Sequence, residues 1–161
     1  MQLRDELGEF LGPGAGRRVV VVGIGSPIRM DDAVGLYVLD LLGELALRDT
    51  LLLRTETVPE SYTGTIRAFE PTHVLMLDAA NFGGEPGDAR IIPTNAIAGS
   101  SMSTHSLPLN ILVDYLSQTI CGKVALIGIQ GWSNGYGEGL TPKVEEGAKE
   151  VAQILGDALS K

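Results

Sequence analysis

Short runs of aliphatic and β-branched residues alternate along this chain with longer segments of helical periodicity. The run at 18–25 (RVVVVGIG) is apolar on both faces and ends in glycines, as buried parallel strands do. Similar runs predict strands at 51–58, 73–79 and Lys123–Gln130. Between them, segments such as 31–45 repeat aliphatic residues every three or four positions, which indicates amphipathic helices. Strands that alternate with helices predict an α/β fold.

The remaining segments complete a three-layer α/β sandwich. The short strand expected at 89–92 follows the third strand without a helix-length connection, so we place it antiparallel at a sheet edge. The prediction is a twisted, mainly parallel five-stranded sheet with one antiparallel edge strand, of the phosphorylase/hydrolase-like class. Residues 1–17 are predicted to form an N-terminal helical extension, and residues 18–161 a single α/β domain. We expect Ser61 and Thr141 to cap the helices that follow them.

Charge and composition argue against several classes of protein. The formal net charge of −8 and pI of about 4.7 repel phosphate backbones, so nucleic acid is not an expected partner. No apolar run reaches the roughly 20 residues that span a bilayer, and the N-terminus does not resemble a signal peptide. A single cysteine, Cys121, fits a reducing compartment. We therefore expect a cytoplasmic protein that does not contact membranes.

Acidic residues follow the predicted first and third strands. Asp31 and Asp32 open the helix after the first strand, and Asp78 closes the third. If those strands are neighbours, Asp32 and Asp78 converge on one solvated crevice at the carboxyl edge of the sheet, where α/β proteins bind ligands. His105 precedes a helix that leads to the same edge. Two carboxylates and an imidazole would suit a divalent metal such as nickel or zinc, whereas Asp31 is interpreted as a helix cap.

Several sharper motifs are absent or incomplete. Gly23 and Gly25 lack the third glycine of a dinucleotide-binding fingerprint, because position 28 is isoleucine. The segment 131–135 (GWSNG) matches a nucleophile elbow, yet both histidines precede Ser133, which is the wrong order for that fold. The Asp-Thr-Gly and Asp-Ser-Gly motifs of pepsin-type proteases are also absent.

Four segments, in order and at family spacing, resemble the hydrogenase maturation proteases. They are Gly-Ile-Gly-Ser-Pro-Ile-Arg-Met-Asp-Asp-Ala-Val-Gly at 23–35, Leu-Asp-Ala at 77–79, Thr-His-Ser-Leu-Pro-Leu at 104–109 and Gly-Leu-Thr-Pro-Lys-Val-Glu at 139–145. The resemblance extends over about residues 18–158. One departure is Arg-Thr-Glu at 54–56, where many relatives have an acid–glycine–glycine turn.

The resemblance implies a specific activity and site. It implies an endopeptidase, classed with the aspartic-type enzymes, that removes the C-terminal extension of a nickel–iron hydrogenase large-subunit precursor after nickel insertion. Asp32, Asp78 and His105 would form the catalytic and metal-binding triad. The nickel would be carried by the substrate, with no permanently bound cofactor, and the protease would act as a monomer. The metal would either activate water or position the substrate tail.

Two other functions remain as alternatives. A nickel-binding accessory protein without peptidase activity would have the same triad. A nucleotide-binding α/β domain would instead need an acid after the second strand to bind a ribose.

Overall fold

A computed structural model of the protein describes residues 2–93 and 108–160. Their strands are β1 (Val19–Ile24), β2 (Thr50–Glu56), β3 (His73–Ala80), β4 (Ala89–Ile92) and β5 (Lys123–Gln130). Their α-helices are α1 (Gln2–Leu11), α2 (Val34–Leu42), α3 (Thr63–Phe69), α4 (Leu109–Thr119) and α5 (Pro142–Leu159). Two short 3₁₀ helices, Met30–Ala33 and Pro59–Tyr62, precede α2 and α3.

The strands form one sheet in the order β2-β1-β3-β5-β4. β1 pairs in parallel with β2 and β3, and β3 pairs in parallel with β5. β4 pairs antiparallel with β5 at the edge of the sheet. The predicted fold class is thereby confirmed, including the antiparallel edge strand. The adjacency of β1 and β3, on which the expected meeting of Asp32 and Asp78 depended, is also confirmed.

Helices cover both faces of the sheet. Alternate side chains of β1 point in opposite directions, so Val19 and Val21 join a core with α1, α2 and α5, whereas Val20 and Val22 join a second core with α3 and α4. β1 and β3 are buried along their whole length. This two-sided burial explains why both strands are continuous apolar runs rather than alternating ones.

The N-terminal helix α1 packs onto the same core. Its Leu3, Leu7 and Leu11 are buried one turn apart against the sheet and α5. A carboxylate oxygen of Glu6 accepts a hydrogen bond of 3.0 Å from the backbone N–H of Ile91 in the edge strand β4. This contact satisfies a backbone donor that an uncovered edge strand would leave open to pairing with another chain.

The structure corrects both predicted helix caps. Ser61 lies inside the 3₁₀ helix, and α3 instead begins after Tyr62 without a side-chain capping bond. Thr141 occupies the position before α5, as predicted, but makes no capping bond, because its hydroxyl donates to Asp31 instead. Both interpretations relied on local capping preference. At Thr141 a long-range contact overrides it, and at Ser61 the 3₁₀ helix begins earlier in the chain, at Pro59.

His73 lies at the opposite end of β3 from Asp78 and makes the free energy of unfolding depend on pH. Burial lowers the pKa of His73, with nearby Lys123 and Arg17 acting in the same direction. Between the lowered folded pKa and the usual value of about 6.5, the unfolded chain binds a proton that the folded chain does not, so stability falls as pH falls. We expect His73→Gln to lose less stability than wild type between pH 7.5 and 5.5. Urea unfolding of both proteins at pH 7.5 and 5.5 tests this. An equal loss of unfolding free energy in the variant and wild type would contradict it.

No helix in the described part of the chain is both long enough and apolar enough to cross a membrane.

Candidate functional site

The segment after β1 turns back on itself, and a hydrogen bond to the Asp32 side chain closes the turn. Oδ2 of Asp32 accepts a hydrogen bond of 2.9 Å from the backbone N–H of Ser26. Gly25 permits this turn, because its φ is +145° and a β-carbon there would lie 2.0 Å from the carbonyl oxygen of Asp32. The Gly25 N–H also donates to the carbonyl of Glu56 at 2.9 Å, which ties the segment to the end of β2. The first glycine-containing loop therefore serves to place Asp32.

Asp78 lies in the last part of β3, next to the same segment. Its Oδ1 accepts a hydrogen bond of 2.9 Å from the N–H of Ala79. Above it, α2 packs closely on the sheet: a β-carbon on Gly35 would lie 2.3 Å from the carbonyl oxygen of Leu77 and 2.7 Å from that of Ile24. Only glycine allows this approach of backbone to backbone. The helix start that carries Asp32 is thus held against the carboxyl ends of β1 and β3.

Both predicted acids are buried. Asp32 is 2% exposed and Asp78 is 0% exposed. The expectation that they line a solvated crevice is therefore wrong for this structure. Aspartates are seldom fully buried unless they have partners, and acids at a strand-end switch point are candidates for a functional site.

The third predicted residue, His105, lies outside the described residues. Within residues 2–93 and 108–160, no group of three His, Cys, Asp or Glu side chains is arranged to hold a metal ion. The other histidine, His73, begins the strand that Asp78 nearly ends, about 16 Å away at roughly 3.3 Å per residue. The triad of Asp32, Asp78 and His105 therefore stays a prediction.

Asp31 has a different role from the one predicted. It makes no cap for its own 3₁₀ helix. It is instead 0% exposed and accepts four hydrogen bonds from the segment before α5. The donors are the backbone N–H groups of Trp132 at 3.0 Å, Ser133 at 2.9 Å and Thr141 at 2.8 Å, and the Thr141 hydroxyl at 2.8 Å. Asp31 therefore joins distant parts of the chain.

Residues 131–141, here the β5–α5 loop, lie against the loop that follows β1. The N–H of Met30 donates to the carbonyl of Gly137 at 3.1 Å, and the N–H of Gly137 donates to the carbonyl of Ile28 at 2.8 Å. The Arg29 guanidinium donates to the carbonyl of Asn134 at 3.1 Å and stacks over the Tyr136 ring. The two loops form one connected rim beside Asp32.

The serine of the elbow-like motif has no catalytic partner in the described part of the chain. The Ser133 hydroxyl contacts the Met30 sulfur at 3.6 Å and accepts from the N–H of Gly135 at 3.4 Å. A serine nucleophile needs an imidazole or other base within hydrogen-bonding distance. The contacts observed here are those of a structural loop residue.

Glu56, within the segment where the sequence departs from its relatives, ends β2 with φ of +54°. Glycine adopts this left-handed conformation without steric cost, which gives a physical reason for the glycines that the resemblance places there. The neighbouring Thr55 is buried, and its hydroxyl donates to the carbonyl of Gly23 at 3.0 Å. Thr55 therefore ties the end of β2 to β1 beside the site.

A family model described as hydrogenase maturation protease (HycI) matches residues 44–158. The chain belongs to the hydrogenase maturation protease family. It is 31% identical over 137 residues to the hydrogenase 3 maturation protease of Escherichia coli, a match that covers 84% of this chain and 87% of that protein. The resemblance inferred from four motifs is thus confirmed.

Solved structures of hydrogenase maturation proteases share the whole fold. The crystal structure of the [NiFe] hydrogenase maturation protease HycI from Thermococcus kodakarensis superposes with a TM-score of 0.84 at 36% identity, covering 96% of this chain and 99% of that one. The solution structure of the endopeptidase HycI from Escherichia coli superposes with a TM-score of 0.78 at 30% identity, covering 87% of this chain and 90% of that one.

Sequence reasoning missed the function of Asp31 as a link between loops. Nothing local distinguishes it, because consecutive acids at the start of a helix are favoured by the helix dipole alone. Its four donors lie about a hundred residues further along the chain, in a glycine-rich segment without periodicity. Packing of α5 against α2, together with the backbone bonds between the two loops, brings those donors within reach.

Proposed function

We propose that this protein is an endopeptidase that removes the C-terminal extension of a nickel–iron hydrogenase large-subunit precursor after nickel insertion. The observation that supports this most strongly is the burial of Asp32 and Asp78 at the carboxyl ends of adjacent strands in a chain of the maturation protease family. Carboxylate oxygens at this edge of the sheet are suitable ligands for a divalent cation brought by the substrate.

In this proposal Asp32, Asp78 and His105 recognise nickel that the precursor already holds. Carboxylate oxygens and a neutral imidazole nitrogen are suitable ligands for a divalent ion of intermediate softness. The metal is part of the substrate, so no permanently bound cofactor is required. Recognition of the metal would let the protease distinguish a loaded precursor from an empty one, since only the loaded form completes the site.

Cleavage itself is the hydrolysis of one peptide bond. The oxygen of a water molecule bonds to the carbonyl carbon, the bond from that carbon to nitrogen breaks, and a proton passes to the leaving nitrogen. A carboxylate near the attacked carbonyl can accept the proton of the water as a general base. We assign this role to the acids of the site, in keeping with the aspartic-type class, and expect the enzyme to act as a cytoplasmic monomer.

Incubation with the nickel-loaded precursor tests the proposed function. Intact mass spectrometry should show a shortened large subunit and one released C-terminal peptide. A complex that forms without loss of mass would favour a nickel-binding accessory protein, and binding of a nucleotide without either effect would favour a nucleotide-binding domain. Cleavage at many sites would contradict a maturation role.

Ser133→Ala should leave processing unchanged, within about twofold. The hydroxyl contacts a sulfur and a backbone N–H rather than a base, and its loss leaves the backbone bonds to Asp31 intact. Initial rates of precursor cleavage for the variant and wild type measure the effect. Complete loss of activity in a folded Ser133→Ala protein would show that the serine is the nucleophile.

A further inference from the structure

Two consecutive acids in the 3₁₀ helix Met30–Ala33 bind different parts of the chain. Asp32 accepts from Ser26 in the loop after β1. Asp31 accepts from Trp132, Ser133 and Thr141 in the β5–α5 loop, and its own N–H donates to the carbonyl of Ser133 at 2.9 Å. Asp31 therefore joins the β5–α5 loop to the helical turn that carries the proposed ligand Asp32.

The β5–α5 loop that Asp31 holds carries two very exposed aromatic side chains. Trp132 is 72% exposed and Tyr136 is 80% exposed, and Ile28 on the adjoining loop is also exposed. Trp and Tyr are among the residue types that most often dominate the binding energy of a protein partner. The Arg29 guanidinium stacks over the Tyr136 ring, but both aromatic side chains are mostly exposed, so their positions depend largely on the backbone bonds of the loop.

We propose that Asp31 is a positioning residue for precursor binding: its carboxylate fixes the Trp132 and Tyr136 rim relative to Asp32. This inference rests on the proposed function. A carboxylate suits the task because both of its oxygens accept hydrogen bonds, and all four contacts are from donors. Asparagine would place its NH₂ group against at least one of these N–H donors, so the same shape cannot make the same contacts.

Three substitutions separate positioning from mere stability. Asp31→Asn keeps the volume and loses at least one charge-assisted bond. Thr141→Val removes only the hydroxyl that donates to Oδ2 of Asp31, whereas Thr141→Ser retains it. The valine and serine variants therefore form a matched pair around one hydrogen bond. Should Asp31→Asn fail to fold, this pair decides the question.

We expect the KM for the nickel-loaded precursor to rise about tenfold in Asp31→Asn and severalfold in Thr141→Val, at a temperature where each is folded. The kcat should change less than about twofold, because Asp32 keeps its own bond to Ser26. Thr141→Ser should restore the KM towards the wild-type value. A purely structural residue would lower the melting temperature without moving the KM of the folded protein.

A second readout does not depend on cleavage. Trp132 is the single tryptophan of the chain, so its time-resolved fluorescence anisotropy reports the motion of the β5–α5 loop. Nanosecond local motion should increase in Asp31→Asn and in Thr141→Val but not in Thr141→Ser. Unchanged motion, or an unchanged KM in variants whose loop has loosened, would overturn the proposal. Failure of wild type to cleave the precursor would refute the proposed function instead, and the anisotropy would still show whether Asp31 holds the loop.

Discussion

His105→Ala should abolish precursor processing, with a fall in rate of more than about a hundredfold. The substitution removes the one neutral nitrogen ligand of the proposed site. His73, the other histidine of the chain, cannot replace it, because it begins β3 at the far end of the sheet from Asp78. Gel-based conversion of precursor to mature subunit measures the loss.

The chain provides a matched control for this substitution. His73→Gln removes the other imidazole and should leave processing within about twofold of wild type at pH 7.5, where His73 is neutral in both the folded and unfolded states. Thermal unfolding of both variants shows whether each is folded at the assay temperature. Full activity in His105→Ala would exclude the histidine from the site.

Asp78→Asn should produce a loss as large as that of His105→Ala. The change removes the negative charge that would attract a divalent cation but keeps the shape of a side chain that is completely buried. The asparagine can still accept the bond from the N–H of Ala79, so we expect unfolding free energy to change by only about 1 kcal/mol. Asp32→Asn should behave in the same way.

Asp31→Asn serves as the comparison for these two variants. All three substitutions remove one carboxylate charge from a buried position at the same edge of the sheet. The proposed ligands Asp32 and Asp78 should lose turnover, whereas Asp31 should lose affinity. Equal defects in kcat for all three would show that local charge, rather than specific ligation, sustains activity.

The sheet could be predicted because the amino-acid composition of each strand reflects how deeply that strand is buried. β1 and β3 are covered on both faces, so their sequences are unbroken aliphatic runs, and the edge strand β4 is shorter and mixed. Strand ends were predicted within two residues at most positions. The capping bonds were predicted wrongly. The Thr141 hydroxyl binds the Asp31 carboxylate that tertiary structure brings close, and Ser61 lies inside a 3₁₀ helix that begins at Pro59.

The site could be predicted only in part. The alternation of strands and helices predicted that Asp32 and Asp78 lie at one edge of the sheet. The pairing of β1 with β3 confirms the strand adjacency on which that prediction rested. Burial of the two acids and the four bonds of Asp31 depend on how closely α2 and the β5–α5 loop approach the strand ends. Such distances arise from glycines at 25 and 35 and from packing between remote segments, which no local pattern encodes.

The central claim is that cleavage requires nickel in the substrate, and a comparison of two precursor preparations tests it most directly. Purified protein is incubated with nickel-loaded precursor and with the same precursor before nickel insertion, and intact masses are followed over time. We predict release of one C-terminal peptide from the loaded precursor and none from the empty one. Equal cleavage of both preparations would contradict recognition of nickel by Asp32, Asp78 and His105.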